Sequence, residues 1–331
     1  MIQNFNLFKQ ICAIIQQNFI KRLNLIHTPV LSNEVLETFK EIKSGTIVDC
    51  TLGYAGHSSL ILEQNGGINL VGCDRDKTAV EYSTKKLEKF GNRVKIYHSK
   101  FSEILKHLDV GNIRGILADI GLSSLQIDQN SRGFSLNSDT LDMRMDVSQE
   151  KDAKFVINSY SASQLERILR EYGELKDAKF IASKIVKARE IKAISTAKEL
   201  VSIIGDAPMR RSKFQKSSVS KATLVFQAVR IEVNSELDEL TTLLTNIRNL
   251  NLTNCIVAII SFHSLEDRVV KNTFKEWSKN CICPEFFLKC ECGGDHALGE
   301  IITKKAVTPS QKEMKENSRS RCAKMRVFKI K

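Results

Sequence analysis

Residues 46–58 read TIVDCTLGYAGHS, and the fold turns on how the chain leaves the first half of that stretch. Thr46–Leu52 is an apolar, β-branched run with the length of a buried strand, while Leu60, Ile61 and Leu62 suit a helix that stops at Asn65-Gly66-Gly67. Gly53 and Gly56 therefore occupy a strand-to-helix turn, where a ligand can lie against bare backbone at a helix N-terminus.

Working outward, Asn69–Asp74 reads as a second strand, Thr78–Phe90 as a helix stopped by Gly91, and Arg93–Ser99 as a third strand. Phe101–Leu108 reads as a short helix and Arg114–Ile120 as a fourth strand. Strands alternating with helices imply an α/β fold with a mostly parallel sheet and a ligand at its C-terminal strand ends. The alternation then stops. Ser161-x-x-Gln164 and Thr196-x-x-Glu199 are capping boxes, and Lys176–Ala188 is helical by period, so the middle of the chain reads as an all-helical insertion. Helix resumes over Ala222–Leu250, and Asn254–Ser261 returns to the sheet. A helix over Leu265–Ser278 and short strands near Ile301–Val307 and Ala323–Ile330 complete the core.

The chain has 331 residues, 42% of them hydrophobic, enough for a sizeable core. Its net charge of +12 is concentrated in two places, Met209–Lys221 and Lys304–Lys331, and the remainder is nearly neutral. Two local basic patches suit a polyanionic partner, although solvated charge runs are the common alternative. Nine cysteines without a secretory leader suit a reducing, cytoplasmic setting. The amphipathic stretch Phe5–Ile20 is too broken by Lys9 and glutamines to span a bilayer, so no membrane partner is expected.

A dinucleotide fingerprint in this register would use Gly53, Ala55 and Ser58, a poor match to G-x-G-x-x-G. S-adenosylmethionine has no pyrophosphate and needs only a looser G-x-x-G turn. Asp74 can accept hydrogen bonds from ribose hydroxyls, with a helix cap as the alternative role. Asp119, set among Ile116, Leu117, Ala118 and Ile120, is costly unless it meets a cation or a donor. A sulfonium cofactor supplies both.

Several motifs occur together in order: HTPVL at His27–Leu31, DCTLGYAGHS at Asp49–Ser58, ADIGLSSLQID at Ala118–Asp128, RGFS at Arg132–Ser135 and LDMRMD at Leu141–Asp146. FQAVRIEVNSEL at Phe226–Leu237, SFHSLEDR at Ser261–Arg268 and SRSRCAKMR at Ser318–Arg326 follow. With these the chain resembles, from His27 onward, the RsmH (MraW) family of bacterial ribosomal RNA methyltransferases, which methylate the N4 amine of a cytidine in small-subunit (16S) rRNA. The resemblance implies a class I SAM-dependent methyltransferase core, Rossmann-like, split into residues 27–122 and 221–331. Residues 123–220 are then the helical insertion for RNA recognition, and residues 1–26 an N-terminal extension. It also implies S-adenosylmethionine contacts at Ala55, Gly56, His57, Asp74, Phe101, Asp119 and Gln126, with Phe101 as a wall for adenine. The chain departs from the family in carrying Tyr54 and Ala55 where the turn more often has glycine or arginine.

Methylating an exocyclic amine needs the nitrogen placed near attack distance and a route for its proton. The Asp/Asn-Pro-Pro-aromatic motif of many such enzymes is replaced here by Asp119-Ile120-Gly121-Leu122. Ser123, Ser124, Arg144, Asp142 and His263 are candidates for holding the base, and Asp142 and His263 are the expected catalytic pair, against a salt bridge or helix cap for each. Arg210, Arg211, Lys213, Lys216, Arg319, Arg321, Lys324 and Arg326 are candidates for RNA phosphates, which position a substrate without specifying it. Cys281-x-Cys283 and Cys290-x-Cys292, with His296 nearby, could bind a structural zinc, against reduced thiols in a loop. The expected partner is 16S rRNA within the small subunit. A homodimer is compatible with the sequence, which does not give the oligomeric state. The rival reading is a ribosome-assembly or RNA-binding factor that keeps the cofactor fold without catalysis.

Overall fold

The computed structural model describes residues 29–206, 208–209, 219–284 and 289–331. The expectations for residues 1–26 and for Arg210, Arg211, Lys213 and Lys216 lie outside the described residues. Nine strands are described: β1 (Gly45–Asp49), β2 (Ile68–Asp74), β3 (Val94–His98), β4 (Ile113–Asp119), β5 (Pro208–Met209), β6 (Val219–Ser220), β7 (Ile256–Ser261), β8 (Gly299–Ile301) and β9 (Lys324–Ile330). Seven of them form one sheet in the order β3-β2-β1-β4-β7-β9-β8. The first five in that order run parallel, and β9 is antiparallel to both its neighbours.

The central strands are apolar on both faces because helices cover both. In β4 and β7, Ile116, Ala118, Val257 and Ile259 enter one cluster, while Leu117, Ala258 and Ile260 enter the other. The first cluster is closed by α10 (Glu236–Asn249) and α11 (Ser264–Trp277), which contribute Leu240, Leu244, Val270 and Phe274. The second is closed by α1 (Ser32–Phe39) and α2 (Gly56–Gln64), through Val35, Phe39 and Ile61. Between β1 and β4 the strand order reverses, so the loops after these strands splay apart and leave a crevice at their carboxyl ends.

Between β4 and β7 the chain is helical: α4 (Ser124–Asp128), α5 (Ala153–Ser159), α6 (Ala162–Glu171), α7 (Ala178–Ile191), α8 (Ala197–Ile204) and α9 (Lys221–Asn234). Helices α5 to α9 share a core of their own, running from Leu141 to Val233. The unit therefore continues past residue 220 into α9, because the apolar stripe of that helix, including Leu224, Val225 and Val229, faces α6 rather than the sheet. The expected single helix over Ala222–Leu250 is two helices, broken where Ser235 takes φ 50°. The insertion is not purely helical either, since β5 pairs antiparallel with β6. The segment Phe101–Leu108 forms a 3-10 turn at Ile104–His107 rather than an α-helix. The third helix of the core is α3 (Lys77–Leu87), and α12 (Gln311–Glu316) precedes β9.

Both capping boxes form as expected, Ser161 with Gln164 on α6 and Thr196 with Glu199 on α8. Ser161→Ala and Thr196→Ala are each expected to destabilise the protein by about 1 kcal/mol, read as a lower urea midpoint at an unchanged slope. Midpoints that do not move in either variant would show the caps to be idle.

Candidate active site

The cleft lies at the carboxyl ends of β1, β2 and β4 and has a volume of about 160 Å³. Each of these strands ends in an aspartate: Asp49, Asp74 and Asp119. Burial raises the carboxyl of all three above the ordinary range, because desolvation penalises the charged form. Their partners differ. Asp49, wholly internal, accepts from Ser58 Oγ at 2.5 Å and from the Thr51 N–H at 3.2 Å. Asp74 accepts from the Gly53 N–H and the Asp76 N–H, each at 2.8 Å. The helix cap is Asp76, which accepts from the Thr78 N–H, so Asp74 does not cap α3 and is left to shape the turn.

Asp119 is the least satisfied. Its Oδ1 is buried without a hydrogen-bond partner among the described residues, and its Oδ2 is 3.8 Å from His57 Nδ1. Burial pushes its carboxyl up to about 7, against the backbone N–H of Gly121. With 22% of the side chain exposed, it opens into the cleft. His57 is itself buried and its pKa is depressed by desolvation; its Nε2–H donates to Val30 O at 2.8 Å. That fixes the ring's tautomer and ties the segment before α1 to the cleft wall.

The turn between β1 and α2 brings backbone to this cleft. Gly53 takes φ 50°, and a Cβ on Gly56 would come within 3.1 Å of the Pro29 ring. Ala55 adopts φ 54° at the N-cap of α2 although it carries a Cβ, and it is fully buried. Its side chain packs with Leu52, Leu62 and Leu70 rather than lining the cleft, so only its backbone geometry serves the turn. Phe101 lines the cleft on one side and packs on the core on the other. Gln126 lines it too, with Oε1 accepting from the Ser123 N–H and Nε2 donating to Asp76 at 3.2 Å.

Both residues of the expected catalytic pair make the contacts that their alternative readings named. Asp142 does not line the cleft; Arg144 grips its carboxylate with Nε and Nη2, both at 2.8 Å, and against the opposing effect of burial holds it below the usual range. That pair shapes the loop after α4, since Arg144 also donates to Val147 O and Gln149 O. His263 caps α11 in a capping box with Glu266, its Nε2 3.0 Å from Glu266 Oε1 and 3.9 Å from Glu236 Oε2. The two glutamates raise its pKa over the lowering effect of burial. Arg230 in turn pairs with Glu236 at 2.8 Å, and with His263 it holds that carboxyl near about 2 against burial. Ser123 lines the cleft, but its Oγ accepts from the Gln126 N–H.

Residues that sequence reasoning passed over hold the cleft together. Arg132 donates to Asp76 at 2.9 Å and to the carbonyls of Arg144 and Met145. Asn234 accepts from the Met145 N–H and donates to Met143 O. Met145, thus held from two sides, lines the cleft. RGFS, LDMRMD and the Asn of FQAVRIEVN are therefore parts of one clamp. Their recurrence as motifs was the signal, but nothing local in the sequence pairs them.

Of the C-terminal basic residues, Arg319 lines the cleft mouth and pairs with Asp128, at 2.5 Å for its shorter contact. Arg321 is exposed. Arg326 is turned inward onto Asp267 at 2.6 Å, and Lys324 reaches the same carboxylate at 3.3 Å. Arg326 is therefore a strut of β9, a correction to its expected role at RNA phosphates: its side chain is 13% exposed and its charge is already matched. Among the described residues no helix is long and apolar enough to cross a membrane.

A switch-point crevice, a glycine turn held by the aspartate of β2 and an unsatisfied aspartate at the end of β4 define a class I methyltransferase core. The chain belongs to the MraW methylase family, whose model matches residues 24–331. Similar curated proteins carry the name ribosomal RNA small subunit methyltransferase H. That of Campylobacter curvus is 58% identical, over 92% of this chain and 98% of its own. Those of Campylobacter fetus and Campylobacter jejuni are 56% and 52% identical, over 92% of this chain and 97% of theirs.

Asp119 titrates higher folded than unfolded, so its contribution favours the native state below the ordinary carboxyl value of 3.8 and is lost as pH rises through about 7. Asp119→Asn is therefore expected to raise the melting temperature of the ligand-free protein at pH 8 and to raise it by less at pH 5. A melting temperature that falls at pH 8 would mean the carboxylate is satisfied by the protein itself.

Proposed function

We propose that the protein transfers the methyl group of S-adenosylmethionine to the N4 amine of a cytidine in 16S rRNA of the small ribosomal subunit, in the cytoplasm. The observation that carries this reading is the orphaned, half-open Asp119 carboxyl facing a glycine turn, an acceptor site that suits a cationic ligand. When bound, the cofactor supplies a methyl on cationic sulfur, which the cytidine nitrogen takes up as the S–C bond breaks and a proton leaves the nitrogen.

The chain's own groups fit that ligand. Asp74 has lone pairs beyond those used by Gly53 and Asp76, and these meet ribose hydroxyls. Phe101 offers an apolar face to the base. Asp119 would accept from the amino-acid end, and Gly53 and Gly56 would let that end approach the backbone. His57 orients the wall behind Asp119. Asp142 and His263 hold no proton for the reaction in this reading; they position the loop and the helix that frame the cleft.

The names of the similar proteins support the RNA substrate, and so does the placement of Arg319 at the cleft mouth. There it exchanges Asp128 for an RNA phosphate, and Arg321 adds a second contact. Shape of the folded subunit, rather than base-edge contacts to a helix, selects the nucleotide.

The test uses small subunits from a strain lacking the gene, tritiated cofactor, and nuclease mapping of the product by mass. One N4-methylated cytidine is expected with the wild type and none with Asp119→Ala that melts cooperatively. Label in ribosomal protein or in another nucleoside would overturn the assignment. Arg319→Ala is expected to lower kcat/KM for subunits about tenfold, as for one lost phosphate contact, with cofactor affinity unchanged. Cofactor affinity itself is expected to rise about tenfold from pH 6 to pH 8 as Asp119 ionises, and to be flat in Asp119→Asn, by calorimetry.

A further inference from the structure

Between the end of α11 and the start of β8 the described residues form a loop that is exposed over most of its length. Ile282 is 64% exposed, and among the described loop residues only Leu298, at its base, packs on a buried cluster. The described part of the loop therefore has little apolar contact to order it. Even so, it brings its cysteine side chains together. The Sγ atoms of Cys281, Cys283, Cys290 and Cys292 all lie within 4.8 Å of one another. Cys290 and Cys292 are 3.6 Å apart at sulfur, and Cys281 and Cys292 3.7 Å.

Those spacings discriminate between chemistries. A disulfide needs its sulfurs bonded at about 2.05 Å. Four thiolates on the corners of a tetrahedron with metal–sulfur bonds of about 2.3 Å stand about 3.8 Å apart. Backbone also serves the cluster, since the N–H groups of Glu291 and Cys292 both point at Cys283 Sγ from 3.3 Å. Amide donors on a sulfur are the outer contacts that orient a thiolate ligand. His296 stands outside the group of four, and its Nε2–H donates to Cys292 O at 3.0 Å.

We infer that Cys281, Cys283, Cys290 and Cys292 form a tetrahedral all-thiolate site for a structural zinc ion that orders the loop between α11 and β8. None of the four lines the cleft. The base of the loop is already zipped, Leu298 N–H to Trp277 O at 2.8 Å and His296 N–H to Asn280 O at 3.1 Å, so the metal closes only what lies beyond. The site takes soft divalent cations, and with all corners filled by protein sulfur it has no position for substrate.

The full chain, purified under reducing conditions without chelator, is expected to carry about one equivalent of zinc, and Cys281→Ser/Cys292→Ser below about a tenth. Cobalt(II) titrated into the metal-stripped wild type is expected to give the intense thiolate charge-transfer and visible bands of a tetrahedral sulfur site. Metal removal is expected to speed proteolysis between residues 281 and 292 while calorimetric binding of S-adenosylhomocysteine is unchanged. Wild-type protein with below about a tenth of an equivalent that also shows no thiolate bands with cobalt would overturn the inference. So would alkylation and mass mapping that finds the four as disulfide pairs in freshly isolated protein. Both readouts rest on the wild type, so a variant that fails to fold does not blur them.

Discussion

Carboxylates buried where parallel strands end are the constraint around which the rest is arranged. Desolvation raises the cost of the charge on Asp49, Asp74 and Asp119 alike, and each must be met by donors or stay partly neutral. Asp49 meets a hydroxyl and an amide from the start of the following turn and helix. Asp74 meets the amide of Gly53, reaching across from the neighbouring strand. The β1–α2 turn is thereby held from two adjacent strands at once, which fixes the glycine backbone that faces the cleft. Asp119 is left with an empty acceptor. The same chemistry that shapes the turn thus leaves one site of unspent affinity, and it lies where a cation would complete it.

A second network attaches the insertion to this core. Arg132, with 12% of its side chain exposed, bridges Asp76 and the carbonyls of the LDMRMD loop, and Asn234 holds that loop from α9. Pairs buried to this degree add little net stability, because desolvation consumes most of the Coulomb gain. Their effect is on geometry: breaking either partner strands a buried charge, so alternative placements of the insertion are disfavoured. Asp142 with Arg144, and Arg230 with Glu236, extend the same logic to the loop and to the break between α9 and α10. The insertion's apolar core explains that it folds; these polar contacts explain where it sits.

What could be read in the sequence follows from the range of the interaction that decides it. Strands buried on both faces declare themselves by composition, and the boxes at Ser161 and Thr196 are complete within four residues. Asp74 and Asp119 are legible because their positions at strand ends follow from the strands. His263-Ser-Leu-Glu266 has the spacing of a capping box, but histidine is an unusual residue at its head, so the sequence leaves chemistry and a helix cap side by side. Asp142 could have been paired with Arg144 from their spacing alone. Arg326 could not: its partner Asp267 is 59 residues away, brought near only by the antiparallel fit of β9 beside β7. Asn234 and Arg132 were illegible for the same reason.

That antiparallel strand also decides how the cleft is completed. β9 lies between β7 and β8, so β8 has no partner in the sheet until β9 is in place. The residues just before β9 include Asn317 and Arg319 of the cleft mouth, and Glu313 of α12 accepts from the Leu31 N–H at 2.8 Å. Leu31 follows Val30, whose carbonyl holds His57. One continuous set of contacts therefore runs from the last strand through α12 and the segment before α1 to the wall behind Asp119. The mouth of the cleft is made by the segments most distant in sequence, and its other lining by the compact β1-to-β4 unit. In the function proposed above, cofactor recognition is a property of local topology, while the approach of a macromolecular substrate depends on the closed sheet. Lesions in β9 should weaken the second more than the first, since they undo the mouth while leaving the β1–α2 turn and its aspartates in place.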